Sequence, residues 1–116
     1  MARALYEAPF VLVSHGLETD PVFNYANLTA QSLFELRWHD FVRLESRHSA
    51  EAVEQAARES FMQQVRTNGF VDNYTGVRIS SSGKRFTIDR AVVWNVIDDA
   101  GNLRGQAATF AHWTPI

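Results

Sequence analysis

The chain of 116 residues contains no cysteine. Disulfide bonds, thiolate catalysis, iron–sulfur ligation and flavin photochemistry through a cysteinyl adduct are therefore excluded together, because each needs a sulfur atom. An excess of one charge sign is also lacking: 11 Lys plus Arg stand against 13 Asp plus Glu, a formal net charge of -2. No basic run interleaves with aromatic residues, so the electrostatic footprint of a nucleic-acid binder is absent and no nucleic-acid partner is expected. No apolar segment approaches the roughly 20 residues that cross a bilayer. The opening Met-Ala-Arg-Ala-Leu-Tyr-Glu-Ala places a Glu before any apolar run, unlike a secretory signal. A cytoplasmic protein with no membrane partner is expected, which makes Asn27-Leu28-Thr29 and Asn73-Tyr74-Thr75 chance glycosylation sequons. Repeats, low-complexity stretches and linkers are missing too, and 13.1 kDa leaves room for one domain spanning residues 1–116.

What is present is concentrated in the second half. Phe70 to Ile79, Arg85 to Ile97 and Leu103 to Trp113 are rich in β-branched and aromatic residues that suit a pleated, half-buried surface. Ser81-Ser82-Gly83-Lys84 and Asp98-Asp99-Ala100-Gly101-Asn102 separate them, with a glycine where a short hairpin needs backbone angles closed to most residues. Three strands in an antiparallel meander are expected. A period of two groups Val71, Asn73, Thr75, Val77 and Ile79 on one face of the first strand, against Phe70, Asp72, Tyr74 and Arg78. In the second it groups Phe86, Ile88, Val92, Trp94 and Val96 against Val93, Asn95 and Ile97. Apolar positions on both faces imply that one covers a core and the other meets a helix or another chain.

The first half supplies the cover. Ala2 to Ala8 reads as a short helix that ends before Pro9 and packs on the spare sheet face or on a second subunit. Phe10 to Ser14 is a continuous apolar run, as in an interior strand, and Val22 to Ala26 is a second short strand running into Asn27, a good helix N-cap. Ala26, Ala30, Leu33 and Phe34, then Trp38, Phe41 and Val42, fall at helical spacing. After a polar, irregular Arg43 to Ser49, Ser49 is placed to cap the longest helix, Ala50 to Thr67, with Val53, Ala57, Phe61 and Val65 inward and Asn68-Gly69 as its stop. The expected fold is α+β: a five-stranded antiparallel sheet with short helices and one longer helix packed on one face.

That element order is similar to the PAS fold, and the residues resemble one branch of it, the MEKHLA domain family. The resemblance covers nearly the whole chain. It rests on Pro9-Phe10-Val11 with Ser14-His15, Pro21 to Asn27, Leu33-Phe34-Glu35 with Trp38, and Ser46-Arg47 with Ser49-Ala50-Glu51. It continues through Gly69-Phe70 with Asp72-Asn73-Tyr74, Gly76 to Gly83, Val93-Trp94-Asn95, Asp98 with Gly101, and Gly105 to Ala108. It implies a PAS-like sensory or dimerisation module, known from stand-alone bacterial and algal proteins and from the C-terminal end of plant homeodomain-leucine-zipper regulators. No DNA-binding part accompanies it here, so the regulators' role is not expected to carry over.

The chemistry points to binding rather than catalysis. His15, His39, His48 and His112 lack metal-ligand spacing such as His-Glu-x-x-His, and Ser14, His15 and Asp20 lack a Gly-x-Ser-x-Gly elbow. No catalytic residue or metal ligand is assigned; a small α+β enzyme using His15 or His112 with Asp72 is the last alternative. The helix where PAS-type haem proteins carry their axial histidine has none here, which disfavours haem. The Arg43 to Ser49 region, where light-oxygen-voltage photoreceptors carry a reactive cysteine, has none either, which excludes a covalent flavin adduct. The cofactor, if there is one, stays unknown. Polar residues embedded in apolar runs are the stronger signal, since a buried amide without partners costs about 1–3 kcal/mol. The expected site, between helices and sheet, has Tyr25, Trp38, Phe61 and Trp94 as apolar walls and Asn27, Arg47, Asn73, Tyr74, Asn95 and Gln106 as polar contacts. The competing reading is that these polar residues serve strand ends and caps, or face solvent. Arg47, Arg78 and Arg85 are candidate anion binders, Arg47 foremost, with a pair to Asp72 or Glu51 as the competing reading. Expected partners are a small-molecule ligand, a second copy in a homodimer, or a signalling protein.

Overall fold

A computed structural model describes residues 2–49 and 62–116. The elements are α1 (Ala2–Tyr6), β1 (Val11–His15), β2 (Phe23–Ala26), α2 (Leu28–Phe34), α3 (Trp38–Phe41), a 3₁₀ turn (Ser46–Ser49), a helix α4 over residues 62–68, β3 (Phe70–Ile79), β4 (Arg85–Ile97), β5 (Leu103–Phe110) and β6 (His112–Pro115). Most of the long helix expected from Ala50, with Val53, Ala57 and Phe61, lies outside the described residues. Its end is as anticipated: α4 buries Val65 and stops at Gly69, whose φ of 94° suits a residue without Cβ. The supposedly irregular segment before it contains the 3₁₀ turn, tied to the β1–β2 loop by Ser46 N donating to Pro21 O at 2.8 Å.

The sheet is antiparallel in the order β2-β1-β5-β4-β3, with β6 also on β4. It therefore has six strands rather than five, because the expected third strand of the meander breaks at Ala111. The cause lies across the ladder. Arg90 in β4 takes a φ of 55°, so β4 coils there, pairing its first half with β6 (Asp89 opposite His112) and its second with β5 (Val92 opposite Thr109). The same irregularity inverts the alternation of side chains. Phe86 and Ile88 are buried beside Ala91 and Val93, whereas Val92, Trp94 and Val96 point to the other face. The period-two grouping of Phe86 and Ile88 with Trp94 is thus corrected by one non-glycine residue in the left-handed region. In β3, Asn73 (φ 56°) marks a similar shift, after which Tyr74 and Arg78 share the inner face.

The core lies between the inner face and α2–α3. Phe34 meets Phe41 and Phe86 edge to face at 5.6 and 5.2 Å between centroids, and Phe23 meets Phe41 at 4.8 Å. Such pairs add about 0.5–1.5 kcal/mol each beyond their burial. The β3–β4 hairpin docks on the end of α2. Ser81 N donates to Phe34 O at 3.0 Å, and the Ser80 and Ser82 hydroxyls donate to Glu35 Oε1 at 2.9 and 2.7 Å. The hydrogen bonds from Ser82 and Ser80 hold the Glu35 carboxyl below the usual carboxylate range.

Asn27 is the junction of the first half. It is 0% exposed. Its Oδ1 accepts from Leu12 N and Ala30 N, each at 3.1 Å, and its Nδ2 donates to Leu5 O at 3.1 Å and Phe10 O at 2.8 Å. Gly105 sets a second constraint, since a Cβ there would collide with the His15 carbonyl oxygen of the neighbouring strand.

Two outcomes follow for stability. Asn27→Ala strips a partner from four backbone groups and should cost on the order of 3 kcal/mol, read as a lower urea midpoint at unchanged slope; a loss below about 0.5 kcal/mol would show that water replaces the amide. Gly105→Ala should cost about 2–4 kcal/mol in the same assay, because the obstructing atom is backbone; an unchanged midpoint would mean that β1 and β5 separate freely.

Candidate functional site

Between the helices and the inner face lies a cavity of about 70 Å³. Val13, Phe23, Phe34, Ile88, Ala91, Val93, Ala108 and Phe110 give it apolar walls, and Tyr74, Arg78 and Gln106 are among its polar lining. Gln106 is 4% exposed and sits opposite Asn95 on β4. Its Nε2 donates to Asn95 Oδ1 at 3.2 Å and to Met62 O at 3.4 Å, while Asn95 Nδ2 donates to Val65 O at 3.1 Å. The two amides thus fasten α4 to the sheet. Gln106 Oε1 receives nothing: among the described residues it is the buried side-chain polar atom with no partner. Buried acceptors are rarely left so, because desolvation without a hydrogen bond is costly. Met62, His15 and Gln106 also line a more polar cleft of about 310 Å³ that reaches the surface beside Arg66 and Glu18.

Toward β3 the lining changes. Tyr74 pairs with Ala91 on β4, four residues before Asn95, so the backbone positions of Tyr74 and Gln106 are offset by about 13 Å along the strand direction. Arg78 is 8% exposed, and its Nη2 donates to Tyr74 Oη at 2.9 Å and its Nη1 to Val77 O at 2.8 Å. Gly76, between them in sequence, makes the room: a Cβ there would lie 2.6 Å from Tyr74 Oη and 3.1 Å from Arg78 Nη1.

The residues singled out from the sequence are divided among different places. Tyr74 and Gln106 line the cavity, and Asn95 backs it. Tyr25 and Trp94 lie on the opposite face of the sheet, in an open apolar groove of about 670 Å³ bordered by Leu5, Tyr6, Leu12 and Val96. Trp38 joins them, its ring edge to face with Tyr25 at 5.6 Å. Burial, with nearby Tyr6, pushes the Tyr25 phenol up. Trp94 is separated from the cavity by the Arg90 inversion, and Tyr25 borders the outer groove instead. Asn27 is wholly engaged in the backbone junction. Asn73 is exposed at the β3 bulge, where asparagine tolerates a left-handed backbone. Arg47 grips Asp20 through Nε at 2.9 and 3.0 Å, so its partner is Asp20 rather than Asp72, and Glu51 lies outside the described residues. Phe61 lies outside them as well. The sequence reading gave Arg78 less weight than Arg47; its spacing of four from Tyr74 was the available signal.

Among the described residues no group of His, Asp and Glu is arranged to hold a metal ion, and no helix is long and apolar enough to cross a membrane.

The fold is shared with solved structures. A PAS domain of a protein from Colwellia psychrerythraea superposes with a TM-score of 0.81 at 11% identity, covering 99% of this chain and 92% of that one. An RNA-binding light-oxygen-voltage receptor gives 0.78 at 16% identity over 93% of this chain and 31% of that one. A light-oxygen-voltage domain studied with a flavin analogue gives 0.76 at 14% identity over 98% and 82%. At these identities the likeness is one of fold. In sequence, the homeobox-leucine zipper protein HOX29 of Oryza sativa subsp. indica is 24% identical over 116 residues, which are 97% of this chain and 13% of that protein. The chain thus spans a small fraction of that relative's length. The MEKHLA domain model matches residues 1–115, and the chain, with its PAS-like fold, belongs to the MEKHLA domain family.

Proposed function

We propose that this domain is a receptor that encloses a small, partly apolar molecule in the cavity between helices and sheet, and relays its presence by association with another protein. The observation that carries this reading is Gln106 Oε1, a buried acceptor without a donor, on a cavity whose other walls are mostly apolar. Ligand sites combine apolar lining with a few convergent polar groups in this way. The volume, about 70 Å³, favours a small occupant over a three-ring flavin, since cofactor-sized sites measure roughly 300–1,000 Å³. Native mass spectrometry of the protein purified from its own cells, with an absorbance scan, should reveal a retained small molecule, and a metabolite library should raise the melting temperature for at least one class. A protein that carries nothing and shifts with nothing would overturn the receptor reading.

A second reading concerns the outer face. Leu5 is 39% exposed at the rim of the groove formed with Leu12, Trp94 and Val96, and a two-fold interface needs a self-complementary apolar patch of this kind. Light scattering should then give a dimer that Trp94→Asp converts to monomer; a monomer throughout at high concentration would remove the homodimer.

A further inference from the structure

We propose that Arg78 is the anchor for the carboxylate of a short-chain aliphatic monocarboxylic acid; this rests on the receptor reading and names its ligand class. A guanidinium has five N–H donors. Arg78 spends one on Val77 O and one on Tyr74 Oη, and holds its Cζ 5.5 Å from the Tyr74 ring centroid. Both acceptors are neutral. Among the described residues no carboxylate comes within ion-pair distance of it, although the residue is only 8% exposed. Buried arginines ordinarily face a carboxylate, because desolvating a charge without a counter-charge costs several kcal/mol.

The contrast with the other arginines is instructive. Arg47 and Arg104, both more exposed, have Asp20 and Asp98 as partners. The one buried where a counter-ion matters most has an apolar cavity in front of it, and no Asp or Glu appears among that cavity's described lining residues. Gly76 reinforces this reading, since the missing side chain is what lets the phenol and the guanidinium lie together. The planar fork of a guanidinium matches a carboxylate with two parallel hydrogen bonds. A phosphate would bring more charge and more oxygens than the remaining donors of one arginine satisfy, and Val13, Ile88, Val93 and Phe110 suit a hydrocarbon body. In this pose the acid lies along the sheet with its head at the β3 end.

The test is titration calorimetry on the full chain with acetate and butanoate, each against its matched alcohol, and with inorganic phosphate. Both acids should bind about tenfold or more tightly than their alcohols, as a charge-assisted pair in a buried site implies. Arg78→Met should abolish that preference, bringing the ratio of acid to alcohol affinity to about one. Arg78→Lys, which keeps the charge and loses the fork, should reduce the preference several-fold and serves if the methionine variant does not fold. Equal affinity for acid and alcohol would overturn the role of Arg78 and leave the receptor reading standing. Phosphate binding as tightly as the acids would overturn the ligand class. Binding of none of these probes would overturn this inference, whereas the fate of the receptor reading is decided separately by the native mass spectrum.

Discussion

One amide side chain holds the first third of the chain together. Asn27 has two donors and two acceptor lone pairs, and all are used: on α1, on the residue before β1, on β1 itself and on the first turn of α2. No other side chain of that size offers this balance. Aspartate would present acceptors to two carbonyls, and serine could not span the gap. Because the first turn of α2 is fixed against β1, Ala30 and Phe34 are aimed at the sheet, and Phe34 reaches both Phe86 and the cavity. The roof over the interior space follows from a cap.

The sheet then divides its two faces between two kinds of surface. Inside, small residues on β4 and β5, Ala91 and Ala108, leave room that the phenylalanine cluster does not fill, and the polar groups there include a buried guanidinium, a phenol and an amide with an acceptor to spare, beside Ser14, His15 and Ser49. Outside, Tyr25, Trp38 and Trp94 form an aromatic floor beside α1. The interior space and the aromatic floor are thus separated by the thickness of a single layer, with Val93 and its neighbour Trp94 facing opposite sides.

Much of this could be read before any coordinates. The order of elements, the Asn27 cap and the hairpin at Ser81 to Lys84 all rest on local rules, and local rules survive folding. The family resemblance, spread over many blocks, carried the fold class. What could not be read depended on single backbone choices or on tertiary approach. Nothing about arginine signals a left-handed conformation, so the inversion at Arg90, and with it the side on which Trp94 lies, was hidden. The capping of Ala30 by Asn27 was visible, but the bonds to Leu5 and Phe10 were not, because they require α1 to be in place. Arg47 ranks above Arg78 in the sequence, and the structure reverses their order. Their environments differ because Asp20 arrives from a loop beside Arg47, whereas Tyr74 and Gly76 fold Arg78 inward.

The way α1 is attached has a consequence of its own. The helix buries none of its residues. It is pinned at its base, where the Thr29 hydroxyl donates to Ala8 O at 2.6 Å, and along its body by the Asn27 bond to Leu5 O and the Gln31 bond to the Tyr6 hydroxyl. Each of those two body bonds is worth about 1 kcal/mol net, small beside the phenylalanine cluster below. The segment before Pro9 is therefore held chiefly by polar contacts, and the surface it borders is the aromatic floor rather than the interior.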